Sequence, residues 1–128
     1  MTDLWPMDFG ELTVVPPIAL LREQAKRLTE RTHGQIEGRV ATLKDGEQFV
    51  HAFSLVVPSL DDYTYLLLNI LHSIQFYPAT IEAVVLGGQT FACGTHEELV
   101  QRLRDLLSSE ESKRVIRAIL AQVETPIS

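Results

Sequence analysis

Val40-Ala41-Thr42-Leu43-Lys44-Asp45-Gly46-Glu47-Gln48-Phe49-Val50-His51 sets an Asp-Gly pair between two runs of β-type residues. A tight hairpin needs positive φ at its central positions, and Asp-Gly supplies it at little steric cost. With a two-residue loop at Asp45-Gly46, Lys44 faces Glu47. Counting outward then pairs Thr42 with Phe49, Val40 with His51, Gly38 with Phe53 and Ile36 with Leu55. Side chains alternate along a strand, so these residues share one face, which is apolar and reads as core. The other face carries Glu37, Arg39, Ala41 and Leu43 beside Gln48, Val50, Ala52, Ser54 and Val56, a flat surface of small and medium side chains.

Upstream, Pro16-Pro17 opens a helix, because proline already has the φ of a first turn and no donor is needed there. Ile18, Leu21, Ala25, Leu28 and Thr32 follow at helical spacing, with the pairs Glu23–Arg27 and Lys26–Glu30 on the other side and Gly34 as the stop. Residues 1–15, which hold Trp5, Pro6, Met7 and Phe9 ahead of Leu12-Thr13-Val14-Val15, read as an extended arm or an edge strand.

Downstream, Ser59-Leu60-Asp61-Asp62 has the form of a capping-box variant and predicts a second helix running to Tyr77-Pro78. Placed at about 100° per residue, Leu60, Tyr63, Leu67, Ile70, Leu71 and Ile74 cluster on one side of it. Asp61, Tyr65, Leu68, Asn69, His72 and Phe76 cluster on the other. Thr80 to Leu86 reads as a strand that turns at Gly87-Gly88 into Gln89 to Cys93. Thr95-His96-Glu97-Glu98 caps a further helix with the stripe Leu99, Val100, Leu103, Leu106 and Leu107, and Ser108 with Glu111 repeats the box before Val115, Ile116, Ile119, Leu120 and Val123. The expected architecture is a single α+β domain over residues 1–128, in two layers: a mostly antiparallel sheet of three to five strands against about four helices.

Composition narrows the function classes. A chain of 128 residues with 45% hydrophobic and 22% charged residues can bury a core without disulfides or metal. Its longest apolar runs, Tyr65 to Leu68 and Ala83 to Leu86, fall far below the roughly 18 residues of a membrane span. Asp3 and Asp8 in the first ten residues, with no Lys or Arg, have the wrong sign for a secretory or mitochondrial address. Cys93 is the only cysteine, so no internal disulfide forms and a cytoplasmic location is expected. A net charge of −6 repels a phosphate backbone unless the cations gather on one face, so nucleic acid is not the expected partner, and the short apolar runs leave no membrane partner expected either.

Cys93 precedes a capped helix start, where backbone donors stabilise a thiolate, and His96 follows three positions on. That pair supports a small hydrolase or transferase reading, yet no third group orients the histidine, and a half-buried cysteine at a strand end explains it as well. Cys93, His96, Glu97 and Glu98 are all metal-ligand types, but there is no second cysteine pair and no histidine four positions beyond His96. No metal or cofactor is expected. His51, on the hairpin's core face, reads as a hydrogen-bonded core histidine, and His33 as a cation at the first helix's C-terminus. Arg22, Lys26 and Arg31, and Lys113, Arg114 and Arg117, interleave with glutamates and read as solvated faces. No phosphate-binding glycine loop and no nucleophile elbow is present.

What remains is a non-catalytic interaction or regulatory module acting through protein contacts, with a homodimer over the hairpin's back face as one form of it. Ala41, Ala52, Ser54 and Val56 make that face nearly free of charge at its centre. The second helix's rear stripe, Tyr65, Asn69, His72 and Phe76, combines apolar bodies with hydrogen-bonding tips and is the candidate binding face. A small-ligand site between sheet and helices is the remaining alternative.

Overall fold

In the computed structural model, which describes residues 2–124, the hairpin joins β1 (Glu37–Asp45) to β2 (Gln48–Val57). Its two-residue loop is Gly46-Glu47, one position later than expected: Gly46 takes φ +63 at the first central position, and Asp45 faces Gln48. Moving the turn by one residue slides each partner by two, so Lys44 faces Phe49, Thr42 faces His51, Val40 faces Phe53 and Gly38 faces Leu55. A slide of two preserves which face each side chain occupies.

The helix expected from Ser59 to Tyr77 is instead β3 (Tyr63–His72), which pairs antiparallel with β2. The apparent capping box is a single 3-10 turn, Pro58–Leu60, followed by Asp61 and Asp62 at φ +57 and +55. Two left-handed residues in succession end any helix, and aspartate tolerates them better than most side chains. A β-bulge explains the misleading pattern. Phe53 faces Leu68 while Ser54 faces Leu66, which leaves Leu67 as an extra residue in β3. Tyr63, Tyr65, Leu68, Ile70 and His72 therefore share a face although one of their spacings is three, and Leu67 is buried as well. The alternation of two that marks a strand is broken at the place where it would have been read.

Two short strands complete the sheet, β4 (Ala79–Ala83) and β5 (Gln89–Cys93), joined by a 3-10 turn and by Gly87 and Gly88 at φ +79 and +90. All neighbours are antiparallel, in the order β1-β2-β3-β4-β5, so β3 is central and the sheet is open.

Among the described residues there are three α-helices rather than four: α1 (Pro17–Arg31), α2 (His96–Leu107) and α3 (Glu110–Glu124). They cover one face of the sheet. α1 lies across β1, where a Cβ on Gly38 would sit 2.5 Å from the Ala25 Cα, so glycine there lets helix and strand backbones touch. α2 packs on β5 and is capped as its sequence predicts: Thr95 Oγ1 accepts from the Glu98 N–H at 3.2 Å. The Glu98 carboxylate reaches back to the Gly94 N–H at 2.6 Å. The cap of α3 is Ser109 rather than Ser108, its hydroxyl accepting from the Ser112 N–H at 3.2 Å, while the Ser112 hydroxyl donates to the Leu106 carbonyl at 2.7 Å and fixes the α2–α3 corner. Leu21, Ile36, Phe53, Leu55, Leu68, Ile70, Ile81 and Leu99 are fully buried between the layers. Residues 2–15 form neither helix nor strand, and the sheet takes in no edge strand from them.

Candidate functional site

Because α1 is anchored on β1 and α2 on β5, the helices part over the middle of the sheet. A groove of about 570 Å³ lies there, between α1, the C-terminal half of α2 and the first turns of α3. Phe53 and Leu55 of β2 and the bulge residue Leu67 of β3 lie beneath it, each at most 2% exposed. Its walls are half-buried leucines and isoleucine, Leu20 and Leu28 from α1, Leu107 from α2 and Ile116 from α3. Ligand sites typically enclose about 300–1,000 Å³ with mostly apolar linings, and this groove falls in that range.

The rim is cationic. Arg27 and Arg31 stand one turn apart on α1, Arg104 comes from α2 and Lys113 from α3, and no carboxylate lines the groove. The chain as a whole has 17 acidic residues against 11 basic, so this gathering runs against its net charge. Arg27 is partly neutralised by Glu23 at 3.2 Å, whereas Arg31, Arg104 and Lys113 make no ion pair among the described residues. Sequence reasoning assigned Arg31 and Lys113 to solvated faces and passed over Arg27 and Arg104 as site residues. The available signal was local, two arginines four apart beside Leu20, Gln24 and Leu28. That the cations of three helices converge depends on how the helices pack.

The four residues singled out as a binding stripe do not share a face. Tyr65 points to the helix side of the sheet, packed against the core. Asn69, only four positions on, lies on the opposite face because the bulge intervenes, and its amide donates to Glu82 Oε1 at 2.8 Å. His72 is on the helix side and buried. Phe76 follows β3 in a turn, at φ +68, with its ring edge against the His72 imidazole.

His72 belongs to a buried network whose polarity can be worked out. His72 Nδ1 bonds the Ser73 carbonyl, which only accepts, so this nitrogen carries a proton. Neutral His72 then presents a lone pair at Nε2, so the His51 Nε2–H donates to it at 2.7 Å. His51 Nδ1 accepts in turn from the Thr42 hydroxyl at 2.9 Å. Burial, the neighbouring His72 and then Arg22 push the His51 pKa down to about 4. The network ties β1, β2 and β3 together and leaves no ring nitrogen free for a substrate.

Cys93 is fully buried at the end of β5, and its nearest polar partner is the Phe91 carbonyl at 3.9 Å. Burial raises its thiol pKa, opposed by Arg102 and reinforced by Glu98, so the sulfur stays protonated. His96 is turned to another partner: its Nδ1 lies 3.1 Å from the Tyr77 hydroxyl, which also donates to the Val15 carbonyl at 3.1 Å. Tyr77 is likewise held protonated, by burial and by the nearby Cys93. Among the described residues no three His, Cys, Asp or Glu side chains are placed to share a metal ion, and no helix is long and apolar enough to cross a membrane. No protein-family model matches the chain, and neither does any curated protein or solved structure.

Proposed function

We propose that the chain is a non-catalytic binding module whose site is the groove between α1, α2 and α3, and that its partner is a protein segment presenting apolar side chains beside carboxylates. The observation that supports this is the apolar trough rimmed by Arg27, Arg31, Arg104 and Lys113 with no carboxylate among its lining residues. Arginine and lysine stems extend the apolar surface while their heads meet an anion, and partial exclusion of water strengthens that attraction. No histidine, cysteine, aspartate, glutamate or tyrosine lines the groove; its ionisable groups are the four rim cations, which suit an anionic partner. A small amphipathic anion such as a fatty carboxylate is the second reading, favoured by the groove's volume.

Anilinonaphthalene sulfonate, an aromatic body with one sulfonate, is a suitable reporter. Its fluorescence should rise saturably with the native protein. Reversing two rim charges, Arg31→Glu with Arg104→Glu, should weaken it by about tenfold or more with the circular dichroism unchanged, since each reversal replaces attraction by repulsion. Equal affinity in that variant overturns the reading. Displacement of the dye by an Asp-, Trp- and Phe-containing decapeptide but not by dodecanoate supports a protein segment, and the reverse supports the small ligand.

A further inference from the structure

We infer that the segment filling the groove is the N-terminal arm of a second copy of this chain, so that two copies exchange arms; this rests on the groove being a binding site. Residues 2–15 carry Leu4, Trp5, Met7, Phe9 and Leu12 at 89, 76, 105, 79 and 67% exposure. Five large apolar side chains within nine residues form an exposed apolar surface of the kind that marks an interaction site. The same segment carries Asp3, Asp8 and Glu11 and no Lys or Arg. Arm and groove are thus complementary in both respects: aromatic side chains with negative charge on one, an apolar trough with positive charge on the other.

The arm is also shaped for insertion. Asp3 Oδ1 accepts from the Trp5 N–H at 3.1 Å, and Asp8 Oδ1 accepts from the Gly10 N–H at 2.8 Å. These local bonds turn the backbone at Asp3–Trp5 and at Asp8–Gly10, so the acidic residues stay within two positions of Trp5 and Phe9 along the chain. The Trp5 and Phe9 rings meet edge to face at 5.9 Å, forming one knob with anionic flanks. An aromatic side chain buries about 150–250 Å², so two exchanged Trp5–Phe9 knobs with their matching groove surfaces pass the roughly 1,200 Å² of a stable interface.

The base of the arm favours a second copy over the chain's own groove. Val15 and Pro16 each precede a proline and are kept extended, Pro16 at φ −70 and ψ 148, and the Val15 carbonyl is held by Tyr77. None of residues 2–15 lines the chain's own groove, and the chain enters α1 extended, without a reversal at Pro16. Reciprocal exchange satisfies two grooves with two arms and closes the assembly as a twofold dimer.

Trp5 is the only tryptophan in the chain, so its emission reports the arm alone. Raising the protein from about 10 nM to 100 µM should shift that emission to the blue, and sedimentation should show monomer giving way to dimer over the same range. Two full-length variants make the test specific: Trp5→Ser with Phe9→Ser spoils the arm, and Arg31→Glu with Arg104→Glu spoils the groove. Each alone should be monomeric. Mixed, they should form a heterodimer, and the one remaining tryptophan, on the groove variant, should shift to the blue only in the mixture. A native emission that stays that of exposed indole, a blue shift independent of concentration, or a mixture without a shift overturns the inference. So does a dimer that survives the arm variant but is lost on Ala41→Glu, which would place the contact on the sheet's back face. Dye binding by the arm variant, whose groove is intact, separates the two proposals: if it persists while the mixture fails, the groove reading stands and the arm inference falls.

Discussion

Among the described residues, His51 and His72 form a buried pair held by a direct hydrogen bond, and in the neutral pair each of these ring nitrogens has a matched partner. Burial first, then the neighbouring His72 and Arg22, disfavour a charge on His51. The consequence for stability has a definite sign. The unfolded chain takes up this proton near pH 6.5, whereas the fold keeps His51 neutral down to about 4. Between those values the unfolded state binds more protons, so the stability present above pH 6.5 is lost progressively as pH falls, by up to about 3 kcal/mol. Urea unfolding at a series of pH values should show this slope. His51→Leu alone strands the His72 Nε2 lone pair and should cost roughly 1–3 kcal/mol at pH 8, while His51→Leu with His72→Leu should recover part of that loss and flatten the slope.

At the scale of elements, the contact between α1 and β1 rests on a missing side chain. The clashing atoms around a Cβ at Gly38 are the Ala25 backbone, at 2.5 Å to Cα and 2.6 Å to the carbonyl oxygen, together with the Ala25 Cβ at 2.8 Å. Gly38→Ala must therefore move the helix, with an expected loss of about 1–3 kcal/mol in chemical denaturation. Adding Ala25→Gly removes only the Cβ, so it should not restore stability. Any displacement of α1 also moves Leu20, Leu28, Arg27 and Arg31, so Gly38→Ala should weaken dye binding at the groove even in the folded protein. The bulge at Leu67 has the complementary role, turning an additional leucine of the central strand toward the groove floor.

At the scale of the whole molecule, an anion approaching the groove meets a chain of net charge −6, with local attraction from the four rim cations. Such a contact is short-ranged and sensitive to screening. Raising ionic strength from about 0.01 to 1 M shortens the Debye length from roughly 30 to 3 Å, and the dissociation constant for the sulfonate dye should rise severalfold across that range. Affinity that does not depend on salt would mean the apolar walls alone hold the dye.

The elements whose signals are local could be read from the sequence. Pro16-Pro17 starts α1, Asp45-Gly46 lies at the hairpin tip, Thr95 caps α2, and the two faces of β1 and β2 separate correctly despite the one-residue slip of the turn. Each of these depends on φ preferences and hydrogen bonds within a few residues, which the sequence carries directly. β3 is different. Covered by helices on one face and flanked by strands on both edges, it has apolar side chains on both faces around Leu66–Leu68 and Ile70–Leu71, and its bulge removes the period of two. Leucine-rich sequence without that period is equally compatible with a helix until β2 and β4 pair with it. The same holds for the His51–His72 bond, 21 residues apart, and for Arg27, Arg31, Arg104 and Lys113, which three helices bring to one rim. Sequence alone determined where the chain turns and which hairpin face is buried; only packing decided which distant side chains meet, because those contacts are paid for by long-range burial rather than by local backbone preference.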